Sequence, residues 1–316
     1  MTSLSVPSST EKLVRHDRIV ICVPCFNEER WLSQTLQSVH DQTMPDFAVL
    51  ICDNASNDRT AEIAQRFVAL DPRFHFYRHP ENIGSASNFN FAKEASDSPY
   101  LLWLGAHDIL HPRFLAHHLT RMDADDRLSL SQSALEWIDE QGQPIKRGED
   151  LPLDAGLPNS VGRYLRSIGA NRHLVGINSV IRRAMLEGIA FTPIIGTDRI
   201  ILSHLAYRGP FAEWPEALYC RRVFRSDRGG WNGYMERLTG RHLEALDEGW
   251  TVMAAAYDLD FHSLIGDGVR QRALRMLLQL ILRYHLPINR RSFATRTLWT
   301  LRRALKLPSK VWELLR

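Results

Sequence analysis

Over the first third of the chain, apolar runs of strand length alternate with stretches whose apolar residues recur every three to four positions. "RIVICVPCF" is a continuous run of buried-strand length, broken by "NEE". After it Trp31, Leu32, Thr35, Leu36 and Val39 recur at helical spacing. "FAVLIC" predicts a second buried strand. It ends at the turn-rich "DNASNDRT", which predicts the cap of a helix starting near Thr60 with Ile63, Ala64, Phe67 and Val68 on one face. "RFHFYRH" gives a third strand, "PENIG" a turn before a helix from about Ser85 to Ala95, and "YLLWL" a fourth strand. Strands separated by helices of this length predict an α/β fold: a parallel sheet with right-handed crossovers, the usual frame of a nucleotide-binding half.

Further on, "LSLSQSALEWIDEQGQPI" reads as a strand running into a glycine-containing turn, which predicts a mixed, partly antiparallel continuation of the sheet. Residues 162–181 hold a helix and then a short strand, "GINSVI". Beyond Trp231 the pattern is helical, and the final segments, "RTLWTLRRALKL" and "KVWELLR", are amphipathic and basic. The expected organisation is a flexible leader at 1–17, an α/β domain at 18–230 and a helical C-terminal region at 231–316.

Composition narrows the class without naming a function. With 44% hydrophobic and 24% charged residues the chain is an ordinary globular protein rather than a disordered one. The net charge of +3 gives no reason to expect nucleic acid as a partner. That charge is unevenly spread: residues 289–316 carry eight basic side chains against Glu313, a net +7, so the rest carries −4. That asymmetry marks the tail as a candidate peripheral surface for anionic lipid at the inner face of a membrane or, equally, a solvated helical face. No apolar run reaches the ~18 residues of a spanning helix, and the polar start shows no secretory signal, so the expected compartment is the cytoplasm. Cys22, Cys25, Cys52 and Cys220 sit in strand-like contexts and are expected to be reduced thiols; the lone CxxC lacks a second pair for zinc. Neither GxGxxG nor a P-loop is present.

In open α/β sheets ligands bind beyond the carboxyl ends of the strands. That rule gathers Asn27 and Glu28, Asp53 and Asn54, Asn82 and Gly84, and His107 and Asp108 into one place. Each alone is an ordinary capping or turn residue. Together, acidic groups after strands one, two and four form a site suited to a base, a ribose and a cation against phosphates.

The stretches "VPCFNEERWLSQTLQSV", "LICDNASNDRTAEIA", "NIGSASNFNFA" and "YLLWLGAHDIL" resemble the successive motifs of family 2 glycosyltransferases with the GT-A fold, closely over about residues 19–120 and more loosely over 176–226. The resemblance implies a mixed, mainly parallel central sheet with flanking helices. It also implies inverting transfer of a sugar from a nucleotide-diphosphate sugar, a UDP-sugar first, to a glycan or lipid-linked acceptor in surface polysaccharide synthesis, with Mn²⁺ or Mg²⁺. Carried over to this chain, Pro24 and Glu28 contact the nucleoside and Asp53 accepts the hydrogen bonds of the base. Gly84 admits the nucleotide close to the backbone, and Ser85 and Asn88 lie near the phosphates or ribose.

The fourth motif departs from the family's usual L-D-x-D-D: Gly105 stands at the first aspartate, His107 at the second, and Asp108 is kept. A subgroup with A-A-H-D-D looks nearer, which makes His107 and Asp108 the expected metal ligands, a pair better suited to manganese than to magnesium. "IIGTDRIILSHLAYRG" matches the family's helix start that carries the general base, so Asp198 is its expected counterpart. "ALYCRRVFRSDRGG" resembles the segment that faces the diphosphate, with Arg222 in that role. Phe224 stands where a histidine is common, and Arg225 or Arg228 closes over the donor in its place. Trp214 and Trp231 are candidates to stack on an acceptor sugar. Gly105, His107 and Phe224 also suit a second reading, a catalytically silent GT-A domain serving as a nucleotide- or glycan-binding assembly subunit.

Overall fold

The computed structural model describes residues 12–148, 159–170, 175–194 and 196–223, together with Leu264 and Leu278. In chain order the elements are β1 (Val14–Arg15), β2 (Ile19–Cys25), α1 (Leu32–His40), β3 (Ala48–Asp53), α2 (Thr60–Leu70), β4 (Phe74–Arg78) and α3 (Ser85–Glu94). They continue with β5 (Ser96–Asp97), β6 (Tyr100–Trp103), β7 (Ile109–Leu110), α4 (Phe114–Ala124), β8 (Leu130–Ile138) and β9 (Pro144–Gly148). The last are α5 (Ser160–Ala170), β10 (Val180–Arg182), α6 (Thr197–Arg208) and β11 (Phe211–Arg222).

One nine-stranded sheet runs β4-β3-β2-β6-β10-β8-β11-β7, with β9 paired to β8. The first four strands are parallel to one another, as the alternation of strand and helix requires. Beyond them β10 is antiparallel to β6 and to β8, β11 runs parallel to β8, and β7 returns antiparallel to β11. The hairpin β8–β9 turns at Asp139–Gly142, at the glycine-containing turn expected there.

Central β2 is buried at all seven positions because it has a strand on each side and helices on both faces. Its alternate residues serve two different cores. Ile19, Ile21, Val23 and Cys25 pack with Leu32, Leu36 and Val39 of α1, Ile63 and Phe67 of α2, and Phe114 and Leu115 of α4. Val20 and Cys22 face the other way, toward Ala86 and Ala92 of α3 and Ile201, Leu202 and Leu205 of α6.

Two local expectations change. In α2 the buried face is Thr60, Ile63, Ala64 and Phe67, while Val68 is 38% exposed, because the helical turn carries it off that stripe. Part of the expected leader is built into the fold: β1 pairs with β5, Val14 is buried, and Leu13 N–H donates to Ala95 O at 2.7 Å. The expected helical region at 231–316, including Trp231, lies outside the described residues except for Leu264 and Leu278. Among the described residues no helix is long and apolar enough to cross a membrane.

Candidate functional site

The loops that follow β2 and β3 are laced together by polar side chains. Asn27 (φ 56°) and Ala55 (φ 60°) adopt the left-handed conformation that turns each chain sharply out of its strand. Asn27 N–H donates to Ser56 Oγ at 2.9 Å, its own Oδ1 accepts from Asn57 N at 3.0 Å, and Glu28 N–H donates to Thr60 Oγ1 at 2.7 Å. Pro24 fits a central strand because β2 outruns its neighbour. The pairing with β6 ends at Cys22↔Trp103, whereas that with β3 continues to Cys25↔Asp53, so no β6 partner is deprived of the missing N–H.

Asp53, the last residue of β3, is fully buried. Its Oδ1 accepts from the Ser56 N–H at 3.1 Å and from the Ser56 hydroxyl, while Oδ2 has no hydrogen-bond partner and lies 3.3 Å from Arg78 Nε. Burial pushes its pKa up, against the lowering effect of the Ser56 hydrogen bonds and the Arg78 charge. Arg78, half-exposed at the end of β4, also donates to Ser56 O at 2.6 Å.

Gly84 takes φ 84° immediately before α3, a conformation that disfavours any side chain, and open space lies where a Cβ would be. The approach to it is fixed by Asn82 Oδ1, which accepts from Asn54 Nδ2 at 2.8 Å and from Gly84 N at 2.9 Å. Ser85 opens α3. Asn88 does not face this mouth: it is buried, donating to Cys52 O at 2.9 Å and meeting His79 Nε2 through Oδ1 at 3.1 Å. Its position one turn into α3 points it back at β3, so it braces the strand end rather than reaching phosphate or ribose.

The loop after β6 places His107 beside Glu28, Nδ1 to Oε1 at 3.1 Å, with Glu28 buried and His107 partly exposed. Asp108 is drawn inward instead. Because β7 pairs with β11 at Leu110↔Tyr219 and Ile109↔Cys220, Asp108 meets both the Tyr219 hydroxyl, which donates to Oδ2 at 2.6 Å, and the Arg222 N–H, which donates to Oδ1 at 2.9 Å. Burial, then the Asp108 charge, raises the Tyr219 pKa well above its usual value, so the phenol keeps its proton to donate.

Arg222 also differs from its expected place at a diphosphate. It is 3% exposed, and its guanidinium donates from Nε to His107 O (2.8 Å), from one terminal nitrogen to Asp139 O and Glu140 O (2.9 Å each) and from the other to Gln34 Oε1 (2.8 Å). It therefore acts as a clamp joining α1, the β8–β9 turn and the loop that carries His107. Trp31 adds to the same turn, donating from Nε1 to Glu140 O at 2.9 Å.

Asp198 lies in the first turn of α6, after Gly196 in the left-handed conformation, and its Oδ1 accepts from Arg199 N at 2.9 Å. Desolvation raises its pKa, opposed by the Arg199 N–H and by the charges of Arg199 and Arg221, which is the direction a proton acceptor working near neutrality needs. Phe224, Arg225 and Arg228 lie outside the described residues. Trp214 stands at the opposite end of β11 from Arg222, packed against His117, and so is a packing residue rather than a neighbour of the strand-end loops. Ser56 and Tyr219, inside quoted motifs but not singled out there, and Arg78, which no motif marks, also belong to the site or its supports.

The described residues do not fit a protein-held Mn²⁺ or Mg²⁺. Among the described residues no group of three or more His, Cys, Asp or Glu side chains is placed to hold a metal ion. Asp108 is 3% exposed with both oxygens hydrogen-bonded, which leaves only the His107 imidazole of the expected pair: unsuited to the oxygen octahedron magnesium demands and without the oxygen ligands manganese also takes.

This arrangement has counterparts. The family model described as "Glycosyl transferase family 2" matches residues 20–189. Among curated relatives, a glycosyltransferase of Bacillus subtilis strain 168 named for teichuronic acid biosynthesis, TuaG, is 26% identical over 147 residues, 45% of this chain and 58% of that protein. Chondroitin synthase of Escherichia coli is 30% identical over 142 residues, 45% of this chain and 20% of that one. The chain thus matches less than two-thirds of the length of these relatives. In three dimensions it is similar to S. aureus TarS in complex with UDP-GlcNAc (TM-score 0.61, 14% identity, 84% of this chain and 72% of that one). It is also similar to the mannosyltransferase PcManGT from Pyrobaculum calidifontis in complex with GDP-Man and Mn²⁺ (TM-score 0.55, 16% identity, 97% and 85%). The fold is thus the GT-A fold of these enzymes. The family model takes in more than half of the chain and all four strand-end motifs, and the chain belongs to glycosyl transferase family 2.

Proposed function

We propose that this protein transfers a sugar, with inversion, from a nucleotide-diphosphate sugar to a glycan or lipid-linked acceptor in surface polysaccharide synthesis. The observation that carries the donor side is Asp53 Oδ2, a carboxylate oxygen at the end of β3 that faces the Arg78 charge at 3.3 Å but receives no hydrogen bond. A buried acceptor gains from a hydrogen-bond donor, and a nucleobase N–H supplies one. Uracil offers one such N–H, and a UDP-sugar is the donor proposed. Gly84 and Ser85, at the start of α3, would stand near the diphosphate, where a helix N-terminus favours an anion.

On the acceptor side, Asp198 removes the proton of the attacking hydroxyl as that oxygen bonds to the anomeric carbon. The bond from that carbon to the diphosphate oxygen breaks, and the nucleoside diphosphate leaves with the electron pair. Arg225 supplies positive charge to the leaving group. The surface-polysaccharide setting is supported by the name of the teichuronic acid relative, and a peripheral membrane contact by the basic tail at 289–316.

The departures at Gly105 and His107 favour one alternative, a silent nucleotide-binding subunit. Incubating the protein with UDP-, dTDP- and GDP-sugars plus a lipid-linked glycan extract, and measuring nucleoside diphosphate release, separates the two. Release that Asp198→Asn abolishes supports the transferase. Binding without release under any donor supports the silent subunit.

A further inference from the structure

The segment 105–108 departs from the family's usual pattern, and the geometry explains why that departure is not a simple exchange of ligands. Position 105 has no room for a side chain: a Cβ built on Gly105 would stand 2.7 Å from Asp108 Oδ2 and 3.6 Å from His107 Nε2. The space an aspartate would fill there is taken by the Asp108 carboxylate itself. That carboxylate is held by groups from a distant strand, Tyr219 through its hydroxyl and Arg222 through its backbone N–H. Position 107 offers an imidazole whose Nδ1 is turned to Glu28, so that carboxylate is engaged in orienting the histidine. A divalent cation that bridges phosphates needs carboxylate or other oxygen ligands aimed at it. Here the first carboxylate position is sterically closed, the second is a histidine, and the third is buried.

We infer that this protein binds its nucleotide diphosphate without a protein-held divalent cation, and that His107, oriented by Glu28, is the residue that sets this independence. The inference rests on the nucleotide-sugar reading above. It assigns His107 the place of a metal-bound carboxylate, filled by an imidazole that Glu28 orients.

Calorimetric titration of the full chain with UDP in Mn²⁺, in Mg²⁺ and in EDTA tests it, together with the same titrations of His107→Asp. The expected result is a wild-type Kd that stays within about twofold across the three conditions, and a His107→Asp protein whose UDP affinity in Mn²⁺ exceeds that in EDTA by roughly tenfold or more. Wild-type UDP binding that falls by about tenfold or more in EDTA overturns the inference while leaving the donor reading intact. A folded His107→Asp protein whose binding still ignores metal overturns the role given to His107. Absence of UDP binding in every condition, with dTDP and GDP equally silent, removes the donor reading and this inference with it. Thermal melts of both proteins in EDTA distinguish a misfolded variant, for which His107→Asn replaces it: a hydrogen-bonding side chain without carboxylate, expected to bind UDP with no metal dependence and contradicting the inference if metal restores its affinity.

Discussion

Tyr219 donates its hydroxyl hydrogen to Asp108 Oδ2 across 2.6 Å, joining residues 111 positions apart in the chain. The bond sits at the meeting of β7 and β11 and fixes the loop that carries His107. Tyr219→Phe removes the donor and leaves a buried carboxylate oxygen short of a partner. The expected loss is roughly 1–3 kcal/mol of unfolding free energy, read from urea denaturation. An unchanged midpoint would show that this bond does not hold the loop.

Gly105→Ala attacks the same contact from the other side. Its new Cβ would meet Asp108 Oδ2 at 2.7 Å, so the carboxylate must move off Tyr219. The expected cost is again roughly 1–3 kcal/mol. Because the two substitutions break one interaction, their effects should be less than additive in a double-mutant cycle. Full additivity would contradict the coupling.

Arg222 joins three separate segments through four hydrogen bonds from one guanidinium. A lysine is a point donor that does not span those acceptors. Arg222→Lys should cost about 3 kcal/mol and should lower hydrogen-exchange protection at Gly142, whose N–H donates to Asp139 O in the turn that Arg222 holds. Retained protection at Gly142 would place the clamp elsewhere.

The strand–helix alternation made much of this legible. β2, β3, β4 and β6 stand where the apolar runs stop, α3 begins at Ser85 as expected, and the strand ends bring Glu28, Asp53, Gly84 and His107 to one edge of the sheet. The parts that were not legible are those made by long-range pairing. Nothing local couples Tyr219 to Asp108, because that neighbourhood exists only once β11 lies against β7. Arg222 sits among residues resembling a phosphate-facing segment, yet three backbone carbonyls and a glutamine enclose it. Arg78 ends a strand with no motif around it, and only the sheet shows it beside Asp53.

Asp198 combines a catalytic expectation with a stability one. Its carboxyl pKa is raised by burial, so the folded state holds its proton more tightly than the unfolded chain does. The stabilising contribution is complete below the unfolded carboxyl pKa and is lost as pH rises through the raised folded value. At neutral pH the charge therefore costs stability, and Asp198→Asn should melt at the same temperature as the wild type or higher while lowering turnover about a hundredfold or more. In the wild type, activity should fall on acidification with an apparent pKa above the ordinary carboxyl range. Undiminished turnover in Asp198→Asn would remove the base assignment.

Asp71 shows the opposite sign. Arg73 hydrogen bonds first, with His40 in support, depress its pKa from 3.8 to about 2, against desolvation. Its contribution is present above the unfolded pKa and is lost as pH falls through the folded value, between 3.8 and about 2. Asp71→Asn should cost roughly 2 kcal/mol at pH 7, with the difference from wild type vanishing toward pH 2. A pH-independent difference would assign the loss to packing.

Asp53→Asn tests the donor-binding assignment: the amide oxygen still accepts from Ser56, while an NH₂ takes the place of Oδ2 and the ion pair with Arg78 is lost. Calorimetric titration of wild type and Asp53→Asn with UDP is the most direct measurement. The expected result is a wild-type protein that binds UDP and a folded variant weaker by about tenfold or more, since a donor now meets the base N–H. Equal affinity in the two proteins would contradict the placement of the nucleobase on Asp53, and with it the reading of this strand end as the donor site.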